Sequence, residues 1–444
     1  MLLTLAKNSD FFGAQRVNIR MHQKQKKDGK IINSRMVKKL NLAEAKQKLE
    51  KIGQAHLLDY YDELDEAGKA KLLNQIEATD FSVIRLEKDE AGNDKFEPMD
   101  VMKAEEIDKQ RAELEKIGIE ALKEGKVGLV LLAGGQGTRL GFDGPKGTLN
   151  IGKTHELYIF ECLINNLMEV VNKCGCYIPL FIMTSEKNNA ATVKFFREHN
   201  FFGYEENFVA FFIQEMAPSV DYEGKVYMEA KDCISLSPNG NGGWFKSLYN
   251  SPCFDTALAK KVEWLNVFAV DNVLQRMGDP AFIGATLKSG FVSGAKVIKK
   301  ADPDEKVGVM CLRNGRPSIV EYYELTKEMR DEKDANGEYA YNYGVILNYL
   351  FRVKELVEIV NKDMPLHVVE KKIPYMDKEG VYHKPEKPNG YKFELLVLDM
   401  IEMLDNCMVY EVIRNKEFAP IKNKEGVDSI VSATALLEEN GVVL

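Results

Sequence analysis

Arg139 and Lys146 stand among seven glycines: Gly134, Gly135, Gly137, Gly141, Gly144, Gly147 and Gly152. The glycines begin where an apolar β-type run, Val127 to Leu132, stops at Ala133. Glycine lets backbone approach a ligand closely and adopts positive φ without strain. Successive free N–H groups in such a loop form an anion-binding concavity. A strand feeding a glycine-rich loop with two cations therefore predicts a polyphosphate site. Asp271, directly after the apolar run Val267 to Val270, is the leading carboxylate.

Three motifs compete for the loop. The dinucleotide fingerprint G-x-G-x-x-G starts at Gly135-Gln136-Gly137 and fails at Leu140, where its third glycine belongs. A Walker A pattern, G-x-x-x-x-G-K-[ST], matches literally from Gly147 to Thr154, with Asp271 as a possible Walker B carboxylate. Its context is wrong, because a P-loop needs a buried strand immediately before its first glycine. Here Gly141-Phe142-Asp143-Gly144-Pro145-Lys146 precedes it, and Thr148 to Ile151 reads as a short strand ending in a Gly152-Lys153 turn. The third reading is a nucleotidyltransferase loop that follows the first strand of a sheet and holds a nucleoside triphosphate.

The elements that must position these residues alternate from Val127 onward. Strand-like runs are Val127 to Leu132, Tyr177 to Met183, Phe208 to Ile213, Leu265 to Val270, Ala295 to Ile298, Val307 to Leu312 and Ile319 to Tyr323. Helical spacing marks Glu156 to Val171 and Ala190 to Glu198. Strand–helix alternation predicts an α/β fold with a mixed, mostly parallel sheet. Ligands of such sheets bind outside the carboxyl ends of the strands, where both the glycine loop and Asp271 fall. Asn41 to Ile76 predicts two helices punctuated by Gly53 and Gly68. Glu87 to Asp100 reads as a loop or linker, and Met102 to Lys123 as a helix ending at Gly125. The organisation expected is a basic, disordered extension over 1–40, a helical N-terminal region over 41–125, a catalytic domain over 126–405 and a short C-terminal segment over 406–444.

Composition bounds the rest. No run of eighteen apolar residues suggests a membrane span. Seven scattered cysteines fit reduced thiols in a cytoplasmic protein, and Cys174-Gly175-Cys176 lacks a second ligand pair for a metal. Residues 1–40 hold ten Lys/Arg against Asp10 and Asp28, a local +8, so with a formal total of −8 the remainder carries −16. That basic start allows a transit peptide, although a plain extension before Met36 or Asn41 is the simpler reading. The acidic remainder argues against nucleic-acid binding.

The wording A-G-G-Q-G-T-R-L-G…P-K-G resembles the eukaryotic UDP-N-acetylglucosamine pyrophosphorylases. The resemblance continues through Pro238-Asn239-Gly240-Asn241-Gly242-Gly243, Val270-Asp271-Asn272, Gly294-Ala295-Lys296-Val297, Lys371-Lys372-Ile373-Pro374-Tyr375 and Lys384 to Gly390. It reaches Pro420-Ile421-Lys422-Asn423, so it spans roughly 41–425. It implies a Rossmann-like nucleotidyltransferase core that converts UTP and N-acetylglucosamine 1-phosphate to UDP-N-acetylglucosamine and pyrophosphate, with Mg²⁺ (or Mn²⁺) held by Asp271. Arg139 and Lys146 would neutralise the leaving pyrophosphate. Leu132, Ala133, Gly134, Gly135, Gln214 and Gly240 would face the uridine. Asn241, Glu321, Tyr322 and Asn342 would face the sugar, and Lys392 and Lys422 would reach phosphates from the far side of the cleft. Such a reaction needs positioning and charge neutralisation more than proton transfer. His22, His56, His155, His199, His367 and His383 share no motif and are expected to be structural or surface residues.

Alternatives in the same class prefer glucose, galactose or N-acetylgalactosamine 1-phosphate; outside it stand a P-loop NTPase and an inactive nucleotide-sugar sensor. Two departures from the family bear on this. Asn239 stands where relatives often have Asp. Leucines fill Glu394-Leu395-Leu396-Val397-Leu398-Asp399 where animal relatives have phenylalanines near the sugar. The chain also ends about twenty residues past Lys422, where many relatives continue into a small β-rich domain, so the sequence assigns no oligomeric state.

Overall fold

The computed structural model describes residues 40–84 and 94–444. The basic extension expected over 1–40 lies almost entirely outside the described residues.

A ten-stranded mixed sheet forms the centre. Its parallel half runs Trp264–Ala269, Val127–Leu132, Leu180–Thr184, Val209–Ile213. All six residues of Val127–Leu132 are buried, as expected of a central parallel strand covered on both faces. The sheet continues antiparallel from Trp264–Ala269 to Tyr343–Arg352 and then Val309–Arg313. Ser293–Lys299 pairs with the other side of Tyr343–Arg352, and Met408–Glu411 lies parallel beside it.

Helices cover both faces. Ala104–Lys123, Ile159–Cys174 and Pro280–Ser289 bury Leu114, Ile164, Phe282 and their neighbours on one face. Trp244–Asn250 and Val353–Ile359 bury Trp244, Phe245 and Leu356 on the other. A separate core joins the helices Leu42–Lys51 and Glu66–Ala78 to Ala217, Val226, Met228 and Phe393. Residues 41–125 are thus shared between two cores, since Ala104–Lys123 belongs to the sheet. The C-terminal residues supply the strand Met408–Glu411 and the helix Ile430–Glu439, both packed into the main body.

Several sequence expectations need correction. Phe96–Pro98, read as linker, is an edge strand paired with Val309–Arg313, and the Arg313 guanidinium lies over the Phe96 ring. Tyr343–Arg352 is a further strand that the sequence did not lead us to expect: Gly344 and Asn348 interrupt its apolar run, and its partners lie far away in sequence. Gly53 does end the first helix, with φ of 70°. Gly68 does not punctuate: it sits in the first turn of Glu66–Ala78, its N–H capped by Asp65. Thr148 to Ile151 forms no strand. Lys146–Thr148 is a 3₁₀ turn, and only Asn150 bridges to Tyr158.

Candidate active site

The loop after Val127–Leu132 is closed by its own backbone. The Gly137 N–H donates to the Gly144 carbonyl at 3.0 Å, the Phe142 N–H to Gly137 at 3.1 Å, and the Lys146 N–H to Gly135 at 3.2 Å. Arg139 lies exposed on a 3₁₀ turn, Thr138–Leu140. The Asn188 amide, fully buried, donates to the carbonyls of Ala133 (3.0 Å) and Gly135 (3.3 Å). That amide ties the loop root to the end of the neighbouring strand Leu180–Thr184. The sequence offered no sign of this role beyond a polar residue just past a strand.

Four charges from three distant stretches meet here. Lys146 Nζ is 3.8 Å from Asp271 Oδ2, and the Lys146 side chain is only 14% exposed. Burial lowers the Lys146 pKa; Asp271 opposes that shift, while Lys422 and Arg139 add to it. Lys422 is carried in by backbone pairing, because the Ile421 N–H donates to the Asp271 carbonyl at 2.8 Å. Its own ammonium reaches Asp428 at 3.1 Å. Asp271 does not cap a helix; the next one begins at Pro280. Three cations against Asp271 and the Asp428 partner of Lys422 leave a net positive charge suited to a polyphosphate.

The nucleoside candidates form a second group beside the first. Leu132 and Ala133 are buried at the strand end, with the Ala133 N–H bonded to the Met183 carbonyl. Gly135 faces open space. A β-carbon on Gly134 would lie 2.7 Å from Gln214 Nε2, so the Gln214 amide is flush against the Gly134 backbone. Lys392 is not in the Lys146 cluster. It lies half-buried in Gly390–Glu394, where burial and then the nearby Lys187 and Lys371 lower its pKa. Lys187, one of those neighbours, is next in sequence to the loop-binding Asn188.

The sugar candidates share the same rim by register. Leu132 aligns with Ala269, and Phe268 with Asn348, so Asn342 lies beyond the carboxyl end of Trp264–Ala269. Val309 aligns with both Gly344 and Val320, which brings Glu321 to that edge. Burial, then Glu324, raise the Glu321 carboxyl pKa, while His367 opposes the shift. Asn342 is buried at 7% exposure. Asn241 Oδ1 accepts the Val397 N–H at 2.9 Å, and Gly240, with φ of 69°, bridges to Leu395. The leucine segment is therefore clamped to Asn241. Tyr322 is brought to the edge but turns outward, 38% exposed, with its ring against Tyr323.

The Walker reading fails on geometry. The helix after Lys153 starts only at Ile159, and Lys153 Nζ pairs with Glu438 at 2.8 Å on the surface. A P-loop lysine would lie at the start of the helix and face the phosphates. A cavity of about 930 Å³ between Glu66–Ala78 and Trp244–Asn250 touches Gln214 but none of Arg139, Lys146 and Asp271. The Arg139, Lys146 and Asp271 group lies outside that cavity, past the carboxyl ends of Val127–Leu132 and Trp264–Ala269.

Known proteins resemble this chain over most of its length. A family model described as UTP–glucose-1-phosphate uridylyltransferase matches residues 81–443. The human UDP-N-acetylhexosamine pyrophosphorylase-like protein 1 is 35% identical over 418 residues, covering 88% of this chain and 82% of that protein. The Saccharomyces cerevisiae UDP-N-acetylglucosamine pyrophosphorylase is 32% identical over 420 residues, covering 87% of each chain. A crystal structure of the uridine diphosphate N-acetylglucosamine pyrophosphorylase from Trypanosoma brucei, in complex with an inhibitor, superposes with a TM-score of 0.76. It is 28% identical and covers 88% of this chain and 83% of that one. With its sheet, its glycine loop and this match over nearly its full length, the chain belongs to the UTP–glucose-1-phosphate uridylyltransferase family and is a nucleotidyltransferase.

Proposed function

We propose that this uridylyltransferase joins UTP to N-acetylglucosamine 1-phosphate and releases pyrophosphate, working in the cytoplasm. The observation that carries the reading is the convergence of Arg139, Lys146, Lys422 and Asp271 beside a Gln214 amide packed on Gly134. The sugar phosphate oxygen attacks the α-phosphorus of UTP in line. A new P–O bond forms, the bond between the α-phosphorus and its bridging oxygen breaks, and pyrophosphate leaves. Arg139 and Lys146 hold the departing charge, Lys422 reaches the phosphates from the opposite wall, and Lys392 reaches them as well. Gln214 pairs the imide edge of uracil, which needs one donor and one acceptor, against the backbone of Leu132 to Gly135 with Gly240 nearby. Asn241, Glu321 and Asn342 receive the sugar, and Tyr322, turned outward as it stands, would have to swing in to join them.

Asp271 fits Mg²⁺, with Mn²⁺ as a substitute. It is a single, partly open carboxylate where phosphates would lie, and Mg²⁺ usually takes one or two carboxylates plus substrate phosphates. Among the described residues no group of three or more His, Cys, Asp or Glu forms a metal cage, so the substrate would have to supply the other ligands. When bound, the ion would neutralise phosphate charge.

Pyrophosphate release from UTP, Mg²⁺ and each of four sugar 1-phosphates tests the proposal. N-acetylglucosamine 1-phosphate is expected to give the highest kcat/KM. A higher value with glucose, galactose or N-acetylgalactosamine 1-phosphate reassigns the acceptor. UTP hydrolysis with no transfer to any sugar overturns the transferase reading.

A further inference from the structure

Lys422 lies 151 positions beyond Asp271, on a segment that belongs to no strand of the sheet. What holds it beside Lys146 is a short seam of hydrogen bonds with one buried side chain at its centre. The Asn272 amide is 3% exposed and uses both ends on this segment. Its Nδ2 donates to the Glu417 carbonyl at 2.7 Å and to Gln275 Oε1 at 3.2 Å, and its Oδ1 accepts the Ala419 N–H at 2.8 Å. Backbone bonds complete the seam: Val273 N–H to Ala419 at 3.2 Å, and Ile421 N–H to Asp271 at 2.8 Å.

The far end of the segment is anchored by charge. Lys296, fully buried, donates to Glu417 Oε2 at 2.6 Å and to the Arg276 carbonyl at 3.1 Å, and lies 2.9 Å from Asp279 Oδ2. Three acceptors suit the three protons of an ammonium. Glu417 is thereby fixed before Asn272 takes hold of the backbone at Glu417 and Ala419. Only an amide offers a donor and an acceptor at that spacing; aspartate keeps the shape but loses the donor.

We propose that Asn272 is a positioning residue for Lys422: it clamps Glu417–Ala419 to the Asp271 turn and so sets the distance between Lys422 and the loop cations. The inference rests on the uridylyltransfer reading, in which Lys422 meets substrate phosphate. Released from the clamp, the segment keeps its Lys296 anchor but loses its register near the site. A misplacement of about 1 Å can cost up to roughly a hundredfold in rate.

The test is a double-mutant cycle of Asn272→Ala and Lys422→Ala, with kcat and the KM for each substrate measured for all four proteins. Asn272→Ala is expected to lower kcat about tenfold in the wild-type background and to have almost no effect when Lys422 is already alanine. Asn272→Ser, whose hydroxyl can keep one of the two bonds to the segment without adding charge, is expected to fall between wild type and Asn272→Ala, and it replaces the alanine variant in the cycle if that one does not fold. An equal loss from the Asn272 substitution in both backgrounds overturns the inference, as does a silent Lys422→Ala. Wild-type protein that releases no pyrophosphate overturns the underlying reading instead, so the two failures are separable.

Discussion

Arg139 and Lys146 share a loop but not an environment. Arg139 is exposed, whereas Lys146 is largely buried and its pKa is lowered chiefly by that burial. An arriving polyphosphate gives Lys146 the counter-charge that the protein supplies only through Asp271, 3.8 Å away. Alanine at either position is expected to lower turnover at least roughly a hundredfold, the usual loss when a contact to transition-state charge is removed. Lys153→Ala is expected to stay within about twofold of wild type, because its Glu438 pair is an exposed ion pair. Steady-state kinetics on the three variants checks all of this, and a collapse at Lys153 would restore the P-loop reading. Gly134→Ala places a methyl 2.7 Å from Gln214 Nε2 and must push that amide aside. Its expected signature is a KM for UTP raised about tenfold with kcat less affected, equivalent to about 1.4 kcal/mol.

Elements hold these residues through two polar supports that sequence motifs do not reveal. The first is the buried Lys296–Asp279–Glu417 set. There desolvation opposes every charge, and mutual attraction keeps the Asp279 pKa low and the Lys296 pKa high. Lys296→Met leaves two buried carboxylates without their cation, and the expected loss is about 3–5 kcal/mol of unfolding free energy, read from denaturant midpoints. The second is His367, whose Nε2 lies 2.9 Å from Asp399 Oδ2 and whose pKa is raised by that partner. A raised histidine pKa stabilises the fold fully below the unfolded value of about 6.5 and loses that contribution as pH climbs through the higher folded value. Stability is therefore expected to decline from about pH 6 upward by this route. Urea titrations at several pH values should show a flatter profile for His367→Gln.

At the scale of the whole molecule, two cores among the described residues bear on the site, one on the faces of the main sheet and a smaller one beside it. The main sheet and its helices carry the cations and Asp271, while the smaller core ties the first two helices to the segments before and after Gly390. A chain begun at Met36 retains both cores as described, and full turnover is the expected outcome; loss of soluble, active protein would show that residues 1–35 contribute to folding or catalysis. No helix among the described residues is long and apolar enough to cross a membrane.

How much was legible depended on how local the signal was. The strand Val127–Leu132 could be bounded to the residue, because an apolar run stopped at Ala-Gly-Gly leaves little choice. The glycine loop and its two cations followed for the same reason. Phe96–Pro98 and Tyr343–Arg352 were hidden, since their pairing is with strands far away in sequence and neither has a distinctive local period. The literal Walker pattern could be set aside from the sequence, because no apolar strand precedes Gly147, and the surface pairing of Lys153 with Glu438 agrees. By itself, then, the sequence determined a polyphosphate-type loop at a strand end, an alternating α/β core, and the likeness that named the chemistry. That likeness also named the distant residues expected to join the loop, but only the tertiary structure shows what carries them towards it. Lys422 reaches it because Asn272 and the Asp271 carbonyl hold its segment in place, and Glu321 and Asn342 reach its rim because sheet register aligns Val320, Val309 and Gly344. Those pairings close contacts across tens to hundreds of residues, and no local periodicity encodes them.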